Sequence, residues 1–435
     1  MIFTEDFKLR PYWWEKRGPI SFTDRNLPKT ADVIVIGAGV TGVEAARILA
    51  ENGRDVLALD AGVPGEGASS RNAGMIGRNF KHSYSGLKVS HGQDVAKGFF
   101  AEMQEVYDTV RNLGRANPEA FDWREDGRVI GAMSPALFNK LRKEYELRAR
   151  EIGETVDILD SHEAQAEIGS PLYHGGIRLP LNGAIQPARY HQFLVRRAMA
   201  AGATIIGKTG VTALDREKSG FTVRTDRGAV ACKQVMVATN GYTSRAVPAI
   251  RRRLLPIDAY MVATEELSEN LVRATLPRLR TYHDNRRRSH FFSASPDGKR
   301  ILIGGRTGNL GLNMKKLAAK LHGDLLYIFP DLAGARLSHA WHGRCAAPVD
   351  AFPRFGELDG LYYALGYSFS GMAMGPHLGR KVAWRMLGRT EAAQSYFARP
   401  DFPRVPLVAR TPFTMPFVTA YYGWADHPTT LGRRM

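Results

Sequence analysis

Residues 31–62 read ADVIVIGAGVTGVEAARILAENGRDVLALDAG, and the pattern changes period twice within them. Asp32 to Gly37 is a continuous apolar run with the composition of a strand buried on both faces. A glycine turn follows, then an alanine-rich amphipathic helix from about Gly42 to Asn52, then a second buried strand from Asp55 to Asp60. Together these form a βαβ unit. Gly37 permits the tight turn, Gly39 lets the backbone approach a pyrophosphate, and Gly42 lets the helix pack closely on the sheet. The helix N-terminus turns free N–H groups and a positive dipole end towards phosphates. Asp60 stands 23 residues after Gly37, where a carboxylate can accept hydrogen bonds from a ribose diol. The unit predicts an adenine dinucleotide but does not by itself separate NAD from FAD.

The 435 residues allow two or three domains, and 44% hydrophobic composition suits a packed globular enzyme. The longest apolar window, Val33 to Leu49, is broken by Gly37, Gly39, Gly42, Glu44 and Arg47, so no membrane span is expected. The N-terminal MIFTEDFKLRPYWWEKRG carries acids and no apolar core, unlike a secretory signal. Two cysteines, Cys232 and Cys345, give neither a disulfide framework nor a zinc cluster, and no metal site is expected. These features favour a reducing cytoplasm. The net charge of +17 is spread over the chain, with runs at Arg251–Arg253 and Arg286–Arg288. An anionic substrate, an acidic partner or a nucleic acid would each answer such a field. Neither run is interleaved with stacking aromatics, so a solvated basic surface is preferred and no nucleic acid is expected.

The loop after the second strand, GEGASSRNAGMIGR at 65–78, narrows the cofactor. Its small residues allow close backbone approach, while Ser69, Ser70, Arg71 and Asn72 offer polar groups for phosphates or a ring edge. With VIGAGVTG and Asp60, this loop resembles the D-amino-acid oxidase superfamily of FAD-dependent amine and amino-acid oxidoreductases. The resemblance runs nearly the whole length. PYWWEKRGP (11–19) is similar to the family's aromatic lead-in, LNGAIQPARYHQFLVRRAMAAGATI to its strand-turn-helix, and QVMVATNGYTS (234–244) to its later sheet strand and turn. HAWHGRCAAPVDAFPRFGEL and LYYALGYSFSGMAMGPHLGRKVAWRML resemble its C-terminal cofactor segment, and RTPFTMPFVTAYYGWAD resembles the tail of gamma-glutamylputrescine oxidoreductase-like members.

The resemblance implies FAD held by Gly37, Gly39, Val40, Thr41, Gly42, Asp60 and Ala61, then by Gly67, Ala68, Ser69, Arg71, Asn72, Ala73 and Gly74 of the loop. Farther on it implies Val211 through its backbone, Ala238, Gly241, Cys345, Gly371 and Met372. It also leaves open a covalent link through Cys345, whose thiol pKa Arg344 would lower. A small buried cysteine is the preferred reading there, and Cys232 is read as structural.

The expected fold is α/β, or α+β overall: a discontinuous Rossmann-like FAD-binding domain with an antiparallel-sheet substrate domain. Buried parallel strands are expected at Gln234–Thr239 and Leu361–Leu365, and antiparallel strands within 254–267 and 289–305, the latter turning at Pro296–Gly298. The FAD domain is drawn over 1–95, 155–245 and 339–390, the substrate domain over 96–154 and 246–338, with a tail at 391–435 packing on the body.

The expected reaction is oxidation of a C–N bond in a small amine or amino acid by hydride transfer to the flavin. The imine is then hydrolysed and the electrons pass to oxygen or another acceptor. No Ser-His-Asp elbow, H-E-x-x-H or phosphate-transfer loop competes with this reading. Catalytic candidates are His342, Tyr260, His290 and Arg306, the last as a carboxylate binder; ordinary packing stays open for each. Met372 and Ala373 stand where many relatives have histidine and glycine, and Gly375–Pro376 where sarcosine-oxidase-like members place a carboxylate-binding lysine. That departure keeps a second reading alive, an electron-transfer or assembly subunit without amine turnover.

Overall fold

The computed structural model describes residues 2–15, 26–78, 80–286, 289–306 and 313–406, with residue 306 by its backbone alone. Arg287, Arg288, positions 16–19 of the lead-in and positions 407–435 of the tail, including the RTPFTMPFVTAYYGWAD stretch, lie outside the described residues.

The quoted unit folds as strand Thr30–Ile36, helix Val40–Glu51 and strand Val56–Leu59. The helix starts two residues earlier than expected, because extended Gly39 already serves as its N-cap. Gly37 turns with φ +99°, and an added Cβ would lie 3.0 Å from the Ala238 carbonyl oxygen. A Cβ on Gly42 would sit on the Gly37 carbonyl itself.

Around this unit a parallel core runs in spatial order Leu361–Leu365, Gly228–Val237, Thr30–Ile36, Val56–Leu59, Thr204–Ile206. Val35 pairs with Ala58 on one side and Met236 on the other, which explains the unbroken apolar sequence of these strands. The first half of Gly228–Val237 keeps Ala231 and Cys232 beside Thr30 and Ala31 on one edge and pairs antiparallel on the other with Gly220–Thr225, itself paired with Val211–Glu217. Helix Gly371–Met386 crosses Val40–Glu51 so closely that a Cβ on Gly375 or Gly379 would lie 2.8 Å from Thr41 Oγ1 or 2.5 Å from its carbonyl oxygen.

A second, nine-stranded mixed sheet lies beside the first. Its order is Phe3–Lys8, Leu337–Ala347, Leu255–Thr264, Ile301–Arg306, His290–Ala294, Thr281–Asp284, Arg128–Gly131, Gly176–Leu179, Asp157–Leu159. The two hairpin strands expected within 289–305 pair antiparallel, and the turn between them is fixed by Ser295 Oγ on Asp297 and by Gly298 at φ +70°. Phe3–Lys8, Asp157–Leu159, Gly176–Leu179 and Leu337–Ala347 come wholly or mostly from segments that the sequence reading assigned to the cofactor domain. One face of this sheet is covered by helix Met314–Ile328, whose Leu317, Leu321 and Leu325 pack with Tyr260, Val262 and Ile303. The described part of the tail is anchored where Ser395 Oγ and the Tyr396 amide donate to Glu102 at 2.6 and 2.8 Å. No helix among the described residues is long and apolar enough to cross a membrane.

Candidate functional site

A cavity of about 910 Å³ runs from the Gly37–Thr41 turn, along the 65–77 loop, to the open face of the nine-stranded sheet. At its first end the Asp60 carboxylate accepts the Ala38 amide at 2.9 Å and the Gly62 amide at 3.0 Å. Burial pushes its carboxyl above the usual range, against the pull of those two amides. The Ser69 hydroxyl reaches the helix N-terminus and accepts the Val40 amide at 3.1 Å; a Cβ on Gly39 would meet that oxygen at 2.8 Å.

The loop is held from outside by three indoles. Trp13 Nε1 donates to the Asn72 carbonyl at 2.8 Å, Trp14 Nε1 to Ser70 Oγ at 2.9 Å, and Trp341 Nε1 to the Arg71 carbonyl at 2.9 Å. The lead-in thus acts as a clamp on the loop. Its polar side chains are mostly engaged internally. Arg71 donates to the carbonyls of Glu66 and His342 and stacks over Trp14. Asn72 donates to the Ala68 and Ser69 carbonyls and accepts the Gly74 amide at 2.8 Å.

Of the sequence-derived cofactor positions, Gly37, Gly39, Val40, Thr41, Asp60, Ala61, Gly67, Ala68, Ser69, Arg71, Asn72, Ala73, Val211, Ala238, Cys345, Gly371 and Met372 all line this one cavity. Gly42, Gly74 and Gly241 stand just behind its wall: a Cβ on Gly74 would strike the Ile185 carbonyl, and one on Gly241 the Cys345 carbonyl at 2.5 Å.

The catalytic candidates fall differently. Strand pairing puts His342, Tyr260, Gly305 and His290 in one cross-strand row. The next row, Trp341, Met261, Gly304, Phe291, His283 and Ile130, points the other way, and Met261, Phe291, His283 and Ile130 line the cavity. Tyr260 and His290 therefore face helix Met314–Ile328, where a Cβ on Gly305 would meet both His290 and Leu321. His342 lines the cavity, its carbonyl accepting from Arg71 Nη1 at 3.3 Å and its ring lying 6.1 Å from that of Tyr260. Burial, with the Arg71 and Arg344 charges, holds His342 below its ordinary value despite Asp258. Arg306 pairs by its backbone with Ala259.

Beside His342, the sheet face supplies Arg128, His283, Asn285 and Phe291 to the cavity, and the helix Pro135–Ile152 supplies Glu144, Tyr145 and Arg148. No sequence signal distinguished these: an arginine opening the short run RVIG reads equally well as a surface charge. Cys345 also lines the cavity, but the Arg344 guanidinium beside it grips Asp258 with two bonds of 2.8 and 3.1 Å. Its charge is thereby met by the Asp258 carboxylate.

The lining suits an FAD. Close backbone approach at Gly37–Gly39, an acid at the end of the second strand, and a channel of small residues leading to a wall of mixed polarity are all present.

The model of the FAD dependent oxidoreductase family matches residues 32–385. Among curated proteins, the chain is 28% identical over 408 residues to gamma-glutamylputrescine oxidoreductase of Escherichia coli (strain K12), covering 93% of this chain and 95% of that one. It is 26% identical over 363 residues to a glycine oxidase of Geobacillus kaustophilus, covering 81% and 92%. Among solved structures, the glycine oxidase from Geobacillus kaustophilus superposes with a TM-score of 0.70 at 22% identity, over 87% of this chain and 99% of that one. Iminodiacetate oxidase from Chelativorans sp. BNC1 does so with a TM-score of 0.66 at 19% identity, over 87% and 98%.

Proposed function

This chain belongs to the FAD-dependent oxidoreductase family and is an FAD-dependent oxidoreductase of amines or amino acids, and on that premise we propose how its cavity is used. The observation that carries the proposal is the continuity of the cavity from the dinucleotide turn to the Met261–Phe291–His283 row of the sheet. The chemistry supplied by bound FAD is acceptance of a hydride equivalent from the carbon next to the substrate nitrogen. Gly37–Thr41 and Asp60 hold the adenosine and pyrophosphate end, and the 65–77 loop, clamped by Trp13, Trp14 and Trp341, guides the remainder. The nine-stranded sheet forms the substrate wall, whose Met261 and Phe291 exclude water and favour the neutral amine. The imine product is hydrolysed, and the electrons leave to oxygen or another acceptor.

FAD is held non-covalently in this proposal, supported by the pairing of Arg344 with Asp258. Yellow supernatant after acid precipitation is the expected result; colour in the pellet would assign a covalent link to Cys345. The segment that suggested a subunit without amine turnover, Met372–Ala373, is buried at the start of helix Gly371–Met386 and lines the same cavity.

The deciding experiment is anaerobic mixing of the purified protein with a panel of polyamines, gamma-glutamylated amines, and N-alkyl and D-amino acids. Loss of flavin absorbance with at least one of them is expected. If none bleaches the flavin while dithionite does, the amine-oxidising reading fails for those classes.

A further inference from the structure

Four arginines among the described residues are buried: Arg47, Arg128, Arg148 and Arg354. Arg47 meets Glu44 and Glu51, Arg148 meets Glu154, and Arg354 meets Asp350. Arg128 meets no carboxylate among the described residues. Its hydrogen bonds run from Nε to Thr281 Oγ1 at 3.3 Å and from Nη2 to the Ile76 carbonyl at 3.4 Å, both long and both to neutral groups. It is 8% exposed and lines the cavity.

A buried guanidinium without a counter-charge is a costly arrangement that packing alone does not explain. Burial draws Arg128 down to about 10, so the group stays cationic at neutral pH.

A second orphaned group shares the face. Arg128 pairs with Thr281 and Ile130 with His283, so by strand alternation Arg128, Ile130, Thr281, His283 and Asn285 are oriented alike. Asn285 lines the cavity, and its Nδ2 donates to the Leu137 carbonyl at 3.1 Å, which fixes the orientation of the amide. Its buried Oδ1 meets no hydrogen-bond donor among the described residues. Arg128 and Asn285 lie four residues apart along adjacent strands, about 13 Å by strand rise.

We propose that Arg128 binds a substrate carboxylate and Asn285 accepts an N–H of the same molecule, so that the substrate is an extended amine bearing a carboxylate at the far end. This rests on the amine-oxidising reading and narrows its substrate class. Arg128 acts as a binding and orienting residue; no bond is made or broken at it.

The test uses the FAD-loaded protein and two probes that carry an amide N–H but no oxidisable amine, glutaramate and its carboxamide glutaramide, compared by calorimetry in the wild type, Arg128→Gln and Arg128→Lys. A charge-assisted bond predicts that the wild type prefers the acid over the amide by roughly 10- to 100-fold. Arg128→Gln removes the preference and Arg128→Lys keeps part of it. Without ligand, Arg128→Gln is expected to melt no lower than the wild type, because it removes an uncompensated buried charge; a structural arginine would give the reverse. Equal binding of acid and amide by the wild type, binding of neither, retention of the preference in Arg128→Gln, or loss of FAD from that variant would each overturn the proposal. A flavin that no amine reduces, while calorimetry still shows the Arg128-dependent preference, would instead sink the amine-oxidising reading and leave the anion site standing.

Discussion

The carboxylate of Asp60 accepts the backbone amide of Ala38 at 2.9 Å, tying the acid that follows the second strand to the turn that ends the first. Its other oxygen accepts the Gly62 amide at 3.0 Å. Asp60→Asn would turn an NH₂ towards one of these donors and weaken the acceptor offered to a ribose. The expected outcome is an FAD dissociation constant raised at least about tenfold, equivalent to about 1.4 kcal/mol. Titration of the apoprotein with FAD, followed by flavin fluorescence, measures it; unchanged affinity would remove Asp60 from the cofactor site.

The crossing of helices Val40–Glu51 and Gly371–Met386 predicts opposite outcomes for two glycine substitutions. A Cβ on Gly379 would lie 2.5 Å from the Thr41 carbonyl oxygen, whereas nothing lies within 4 Å of one on Gly323, exposed within helix Met314–Ile328. Gly379→Ala is expected to destabilise by about 1–3 kcal/mol through overpacking. Gly323→Ala should stabilise by roughly 0.5–1 kcal/mol through helix propensity. Denaturant unfolding of the two variants side by side decides it, and a stabilised Gly379→Ala would refute the close crossing.

Legibility followed the kind of constraint each residue obeys. Gly37, Gly42 and Asp60 were readable because a tight turn, a close helix approach and the ribose contact proposed for the acid each admit few residue types at a fixed spacing. Tyr260 and His290 were not readable as to face. The half of Leu255–Thr264 that holds Tyr260 is buried on both sides, so no polar–apolar alternation marks which residues look into the cavity. Arg128 and Asn285 escaped notice for a related reason. Their interest lies in the carboxylate that Arg128 and the donor that Asn285 Oδ1 do not meet among the described residues, and a missing partner leaves no trace in a sequence.

The indole clamp predicts a variant that loses cofactor without losing chemistry. Trp13→Phe keeps the aromatic packing against Trp341, 6.4 Å between ring centres, but leaves the Asn72 carbonyl without its 2.8 Å donor. The net loss should be about 1 kcal/mol, expressed as faster FAD release, with the rate of flavin reduction at saturating FAD and substrate unchanged. Stopped-flow reduction and FAD release into excess apoprotein of another flavoprotein separate the two effects. An altered reduction rate with unaltered release would show that Trp13 acts on the substrate side instead.

The buried cluster beneath helix Met314–Ile328 predicts a pH-dependent contribution to stability. His290 meets Asp324 at 3.0 Å through Nε2 and Asp284 at 3.6 Å through Nδ1, and the Arg286 guanidinium meets Asp284 at 2.6 Å. Burial opposes the charge on His290, but the two carboxylates outweigh it and raise the imidazole above its ordinary 6.5. Burial likewise opposes the Asp284 charge, yet His290 and Arg286 bring that carboxyl down to about 2. Because the histidine is raised in the folded state, its contribution is fully present below pH 6.5 and fades as pH climbs through the raised value. Asp284, being lowered, stays ionised throughout that range and adds no slope of its own. His290→Asn should therefore cost roughly 3 kcal/mol or more at pH 6, the scale for breaking a buried ion pair, and distinctly less at pH 9. Paired denaturant curves of the wild type and the variant at the two pH values give the difference directly. A cost that is equal at both, or larger at pH 9, would mean that His290 is neutral in the folded protein and that the row it shares with Tyr260 is held by packing alone.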